Sequence, residues 1–281
     1  MTTHSPSALE IERRAYRRGR QGRSILIAIG STLAFAVIVW ATVINTPGWA
    51  KVQATFFDPA AALEALPKVW DGFLINLLVL ALSVPAVAVA ALLLATLRTL
   101  RGPVFFPLRA FAAGYTDLFR GIPFIIVLYL VGFGLPTIVG VRLNTIALGV
   151  LAVTLTYSSY VAEVIRAGMD AVHPSQRLAA RALGLGHVQT LRRVVLPQAL
   201  RKITPPLMND FVSMQKDVGL ISILAVIDAI AAARSVVAVT YNFTPYVVAA
   251  LLFVLLAIPT IRLTDWYTAR LREREQAGAV L

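Results

Sequence analysis

"LAARALGLGHVQTLRRVVLP", residues Leu178–Pro197, is the stretch on which the reading of this chain turns. Three arginines and a histidine interrupt its leucines and valines, and it ends at a proline. Apolar runs long enough to cross a bilayer flank it on both sides. Arginine at the centre of a membrane span is costly, so such a segment is not inserted as an ordinary span. It belongs in water or at an interface, and its neighbours belong in lipid.

The composition agrees. Of 281 residues, 58% are hydrophobic and 14% charged, against about 45–50% and about 25% in soluble domains. Apolar runs occupy Ser24–Ala50, Gly72–Leu97, Gly121–Val141, Leu143–Ala162 and Ser235–Ile261, and a sixth, about Pro205–Ile230, carries charges. Each supplies the roughly 20 helical residues that a bilayer core requires. The expectation is an all-α integral membrane protein of about six transmembrane helices. The first run follows a cluster of six arginines, Arg13 to Arg23, as a signal peptide does. It is too long for the usual h-region of about 7–15 residues, and no small-residue cleavage pattern closes it.

Cysteine is absent, and His4, His173 and His187 are scattered, so no disulfide framework, thiolate metal site or histidine cluster is expected. The formal charge of +12 would suggest nucleic acid in a soluble protein. Here the cations sit between apolar runs, which points to membrane topology and to no nucleic-acid partner.

Lysine and arginine concentrate before span one, between two and three (Arg98, Arg101, Arg109, Arg120), between four and five (Arg166 to Lys202) and after six (Arg262 to Arg274). The alternate loops hold only Lys51, Lys68, Arg142 and Arg234. The positive-inside rule then places both termini and the quoted segment in the cytoplasm. The expected organisation is a basic tail over residues 1–23, an extra span with an external segment over 24–69, a core over 70–264 with a loop at 167–204, and a tail over 265–281. The external stretch Thr46–Val69 holds Pro47, Pro59 and Pro67 with Trp49, Phe56 and Phe57.

Within the loop, His173-Pro174-Ser175 opens a short helix, with proline where the missing N–H is harmless. Gly184 suits a left-handed helix stop, and Leu185-Gly186 is the turn. A second amphipathic helix over His187–Leu196 is expected to stop at Pro197, with Leu191, Val194 and Val195 inward and Arg192 and Arg193 outward. Two readings of this hairpin stand on physics alone: a pair resting on anionic lipid, or a rigid element that docks a partner.

Leu178-Ala179-Ala180, three residues, Gly184, nine residues, then Val194-Val195-Leu196-Pro197 resembles the coupling loop of ABC importer permeases, E-A-A, three residues, G, nine residues, I-x-L-P. Leu178 stands where that motif has glutamate. "DLFRGIPFIIVLYLVGFGLP" (Asp117–Pro136) and "YSSYVAEVIRAGMDAVHPSQ" (Tyr157–Gln176) are similar to blocks of the polar amino-acid subfamily, with its F-R-G-x-P entry and A-E-x-x-R-x-G exit. The resemblance covers about Trp70–Leu263.

It implies a type I importer transmembrane domain in a bacterial cytoplasmic membrane, paired with an identical or sister permease. Leu178, Ala179, Ala180, Gly184, Val194, Leu196 and Pro197 would then couple to a cytoplasmic ABC ATPase dimer. An extracytoplasmic solute-binding protein would deliver an amino acid. The chain lacks a G-x-x-x-x-G-K-[ST] loop, so ATP and Mg²⁺ would be bound by the ATPase, and this chain would carry no catalytic residues and no cofactor.

Span five supplies the polar groups. At about 100° per residue, Asn209, Asp210, Ser213, Lys216 and Asp217 share one sector, with Asp228 on the same side, while Gln215 and Ser222 point away. Ionisable groups inside a membrane usually face a bundle interior or an aqueous cavity. Lys216 for a carboxylate, with Asp217 and Glu163 for an ammonium and Asn209 beside them, make a candidate substrate pathway. The plainer alternative has Lys216 and Asp217 tying helices together, and Glu163 pairing with Arg166 along its own helix. Arg120-Gly121-Ile122-Pro123 reads as an interfacial turn with Arg120 at the headgroups. Tyr115, Tyr157 and Tyr160 serve either packing or pathway.

Two other classes compete. An ion-coupled secondary transporter or channel would use the span-five charges. An intramembrane enzyme is disfavoured because no histidine or cysteine falls within a span.

Overall fold

The computed structural model describes residues 8–100, 102–141 and 143–278. Residues 1–7, Arg101, Arg142 and residues 279–281, on which part of the expected topology rests, lie outside the described residues. No strand occurs among the described residues. The chain divides into two compact units, Met1–Phe57 and Asp58–Leu281.

In the first unit, α1 (Ala8–Val39) is prolonged by a π-helical turn over Trp40–Ile44, and α2 covers Trp49–Phe56. The window Gly22–Ile44 is long and apolar enough to cross a membrane, and none of it is buried within the protein. A helix apolar on all sides with no protein around it is suited to lipid. The helix stops just short of Pro47-Gly48.

The second unit opens with α3 (Pro59–Thr99), which Asp58 caps by accepting from the N–H groups of Ala60 (2.9 Å) and Ala61 (3.4 Å). Much of the expected external stretch is thus helix: α3 runs through Pro67, and Ala65 and Val69 are buried with Ala229, Ala233 and Val248. The chain continues through a 3-10 turn at Pro103–Phe105, α4 (Phe106–Gly121), α5 (Phe124–Tyr129), a π turn at Leu130–Gly134 and α6 (Leu135–Val139). Then follow α7 (Thr145–Asp170), α8 (Pro174–Ala182), α9 (His187–Thr190), a π turn at Leu191–Val195 and α10 (Leu196–Asp217). A 3-10 stretch at Val218–Leu224, α11 (Ala229–Thr240) and α12 (Thr244–Gly278) complete it.

Among the described residues four stretches, Gly22–Ile44, Trp49–Thr99, Thr145–Asp170 and Thr244–Leu271, satisfy the length and hydropathy of a span, and the count reaches six if each of two bent helix pairs is one span. α3 and α7 pack along each other at the centre, with α4 against both and α10 against α7 and α12. The main core joins Val79, Leu128, Val153, Met214, Val218 and Ile221 from these elements.

Three expectations are corrected. The stretch before span three, expected as loop, is the helix α4, which meets the following helical segment at a bend of 108°. Small residues explain it: Ala112 and Thr116, four apart, are fully buried, and small side chains let helices approach closely. Arg109 is absorbed by donating to the Leu100 (3.1 Å) and Gly102 (2.8 Å) carbonyls.

The run Ser235–Ile261 is not one span. α11 ends at Thr240, Tyr241 takes φ +55°, and Asn242 accepts from Thr244 N–H at 2.9 Å to start α12. No charged residue falls in this turn, so a run defined by the absence of charge passes over it, although Thr240-Tyr241-Asn242 and Thr244-Pro245 carry the usual polar and proline signals of a break.

The hairpin's second helix does not stop at Pro197. Leu196 N–H reaches back to the Leu191 carbonyl, five residues earlier. That wider turn shifts the hydrogen-bond register where proline lacks a donor, and the helix continues into α10.

Candidate functional site

α10 presents Asp210, Ser213, Lys216 and Asp217 along one stripe, the three- and four-residue spacing of a helix face. Opposite them lies the break between α4 and α5. Ile122, held before a proline, is extended at φ −95° and ψ 130°. Together with Thr156, Tyr157 and Tyr160 of α7, these segments enclose a cavity of about 550 Å³.

Its walls are organised by polar contacts. Tyr157 donates to Asp217 Oδ2 at 2.8 Å and packs edge-on against Phe124, ring centroids 6.4 Å apart. The Arg120 guanidinium lies 6.0 Å from the centre of the Tyr160 ring, within the range of a cation–π contact. Lys216 makes no hydrogen bond or ion pair among the described residues. Asp210 Oδ2 and Thr156 Oγ1 are buried without a hydrogen-bond partner. Buried polar atoms are normally satisfied, so these two are left to a ligand or water. The lining carries two cations, Arg120 and Lys216, and two carboxylates, Asp210 and Asp217.

The structure separates the remaining sequence candidates. Glu163 does not line the cavity: it accepts from Arg98 Nη1 at 2.7 Å and pairs with Arg166, which also holds Asp170 at 2.6 Å. Glu163 therefore balances fixed arginines, and Arg120 of the cavity lies within ion-pair reach of it as well, Nη1 to Oε1 4.0 Å. Asn209 is exposed and outside the cavity. Asp228 is fully buried, capping α11 through Ala231 N–H at 2.8 Å and accepting from Asn76 Nδ2 at 3.1 Å. Asn76 also donates to the Val218 carbonyl (2.8 Å) and accepts from Ala229 N–H (3.1 Å), fastening the bend of span five to α3. Gln215 reaches Thr260 of α12 at 3.2 Å. Tyr115 packs, bonded to Ser158 and the Leu155 carbonyl at 2.9 Å each.

Arg120, expected at the headgroups, lines the cavity together with the backbone beside it. The signal was the Gly-x-Pro break, which ends one helix and starts another.

At the other end of α10 stands the hairpin. Gly184 takes φ +78°, its N–H bonded to the Arg181 carbonyl (2.9 Å) and Leu185 N–H to the Ala180 carbonyl (3.1 Å), the paired stop in which glycine is favoured. Gln189 Oε1 returns to accept from Gly186 N–H at 3.2 Å, closing the next helix start. Ala180 is buried, Leu178, Ala179, Gly184, Leu196 and Pro197 are exposed, and Val194 is half-buried. Arg177 Nη2 donates to the Met169 carbonyl (2.8 Å) and Lys202 Nζ to the Ala171 carbonyl (2.7 Å). Both sides of the hairpin are thereby stitched to the end of α7.

A bundle of membrane helices around a charge-lined cavity, with a fastened helical hairpin at one end, defines a membrane permease subunit. Residues 102–273 match the model of the binding-protein-dependent transport system inner membrane component. The chain belongs to that family. It is 30% identical over 203 residues to the arginine transport system permease protein ArtQ of Bacillus subtilis, covering 72% of this chain and 91% of that one. It is 33% identical over 201 residues to the probable glutamine ABC transporter permease protein GlnP of the same organism, covering 70% and 90%. A crystal structure of an amino acid ABC transporter with histidines aligns at TM-score 0.70 and 30% identity, over 76% of this chain and 98% of that one. The MetNI methionine ABC transporter in an inward-facing form shares the fold at TM-score 0.52 and 19% identity, over 76% and 99%.

Proposed function

We propose that this chain is the transmembrane subunit of an ATP-driven importer and carries a zwitterionic polar amino acid through the cavity between the α4–α5 break and α10. The carrying observation is the lining: two cations and two carboxylates around a volume of about 550 Å³. An amino acid must move both a carboxylate and an ammonium out of water, and desolvated charge needs a partner of opposite sign. Lys216 and Arg120 serve the carboxylate, and Asp217 and Asp210 the ammonium. Ser213 and Thr156 remain for an uncharged polar side chain, and a lining of no net charge suits a substrate of no net charge. The relatives' names, arginine and glutamine systems, support the amino-acid class.

A cytoplasmic ATPase dimer binding ATP and Mg²⁺ docks on the hairpin face formed by Leu178, Ala179 and Gly184, with Val194, Leu196 and Pro197 at the joint to span five. An extracytoplasmic binding protein delivers the substrate, and a second permease completes the pathway. Both termini and the hairpin are cytoplasmic, in the inner or plasma membrane. Support comes from the family, the motif spacing and the stitching of the hairpin to α7.

The test is reconstitution in liposomes. Uptake is expected only with ATP, the ATPase and the binding protein together. Accumulation driven by an ion gradient without the ATPase would overturn the reading in favour of a secondary transporter.

A further inference from the structure

A second cavity, about 640 Å³, lies between the C-terminal ends of α3 and α7 and the hairpin. Its apolar lining comprises Ala95 and Ile165 within and Leu92 and Leu191, both exposed, at the rim. Its polar wall is arginine-rich: Arg98, Arg166, Arg177 and Arg181, against the single carboxylate of Asp170. Glu163 and Asp170 occupy Arg98 and Arg166. The other two arginines stand four residues apart on α8. Like charges at that spacing destabilise an isolated helix, and among the described residues neither has an acidic partner. Arg177 is satisfied at one terminal nitrogen by the Met169 carbonyl, while its Nε is buried with no partner. Arg181 makes no hydrogen bond or ion pair among the described residues.

We infer that this cavity binds the phosphate of an anionic phospholipid, with Arg177 and Arg181 holding the headgroup and Leu92, Ala95 and Ile165 receiving the first part of an acyl chain. Three features select an amphiphile over a free anion or an acidic peptide. Part of the lining is apolar, which a soluble phosphate leaves unused. Leu92, Thr96 and Thr99 are exposed at its edge on α3, the side a lipid would enter from. Leu178 and Ala179, which are assigned above to the ATPase, are not in its lining, although Leu196 of the joint is. Placing the site in the inner leaflet rests on the cytoplasmic assignment of the hairpin, and there the negative surface of anionic lipid attracts arginine. Because Arg177 also holds the hairpin to α7, the lipid would stiffen the joint through which ATPase movement passes.

The experiment uses the full chain in nanodiscs of phosphatidylcholine with one-fifth phosphatidylglycerol, read by native mass spectrometry after transfer to detergent. Wild type is expected to retain phosphatidylglycerol over phosphatidylcholine by at least tenfold, and Arg177→Gln/Arg181→Gln to lose that preference. Arg192→Gln, on the exposed side of the hairpin, should keep it, and equal melting temperatures of the variants exclude misfolding. Retention independent of headgroup charge, or unchanged in the double variant, overturns the inference. Displacement of the lipid by millimolar inorganic phosphate assigns the site to a free anion and overturns it as well. So does loss of lipid whenever the ATPase is bound, which would give the arginines to an acidic segment of that partner. ATP-driven uptake that persists in the double variant leaves the importer reading intact whichever way the lipid result falls.

Discussion

Lys216→Met is the sharpest probe of the candidate pathway, because it removes one charge from a balanced lining while keeping much of the side chain's shape. A cavity of about 550 Å³ has a radius of about 5 Å, and two unit charges at that distance interact by about 3 kcal/mol at an effective dielectric of about 20. Water in the open cavity reduces this, so about 1.5–2 kcal/mol is expected, a factor of roughly 10 to 30. The variant lining, now net negative, should favour a cationic substrate by that factor. Competition of arginine and glutamine for ATP-driven uptake by the reconstituted complex gives the ratio, and Asp210→Asn, which leaves the lining net positive, should move it the opposite way, toward glutamine. If Lys216→Met assembles with its partners and the ratio is unchanged, the lysine does not face substrate. If it fails to assemble, Lys216 is a structural tie.

Gly184→Asp should leave membrane insertion intact and reduce ATP-driven uptake and ATPase co-purification at least tenfold, since aspartate at φ +78° strains a tight turn and adds charge to the docking face; normal uptake would refute that role. Asn76→Ala removes contacts to the Val218 carbonyl, the Asp228 carboxylate and Ala229 N–H, and should lower unfolding stability in detergent by about 3–5 kcal/mol. Gly72→Ala would put a methyl group 2.5 Å from the Asp228 backbone and should cost about 1–3 kcal/mol on the same unfolding assay. Reporter fusions in the 176–197 loop should give cytoplasmic signals; an external signal would invert the topology and refute ATPase docking there.

Local chemistry was legible from the sequence where a residue's neighbours in the chain determine its geometry. Gly184 terminates a helix because its own φ is positive, and Lys216 and Asp217 share a stripe because both lie in one helix. What escaped depended on partners distant in sequence. α4 hid because hydropathy weighs Arg109 and Arg120 but is blind to the carbonyls that absorb Arg109 and to the fit of Ala112 and Thr116 against α3 and α7. Asp228 was assigned to the polar stripe by continuing one helix period, but the 3-10 stretch at Val218–Leu224 changes the angle per residue and turns it to Asn76. Asn209 shares the sector of Lys216, yet a helical wheel gives a direction from the axis and not what stands opposite.

The uninterrupted helix from the hairpin into α10 has a mechanical reach. Pro197 and Lys216 are nineteen residues apart, about 29 Å along the axis at about 1.5 Å per residue. A rod of that length tilted by about 10° about one end carries the other through about 5 Å, comparable to the radius of the charged cavity. Pro205 and Pro206 interrupt the hydrogen-bond ladder midway along that rod, and proline inside a helix is where it bends most readily, so a swing at the hairpin reaches Lys216 and Asp217 through one potential hinge, whose stiffness decides how far a shift at one surface opens or closes the other.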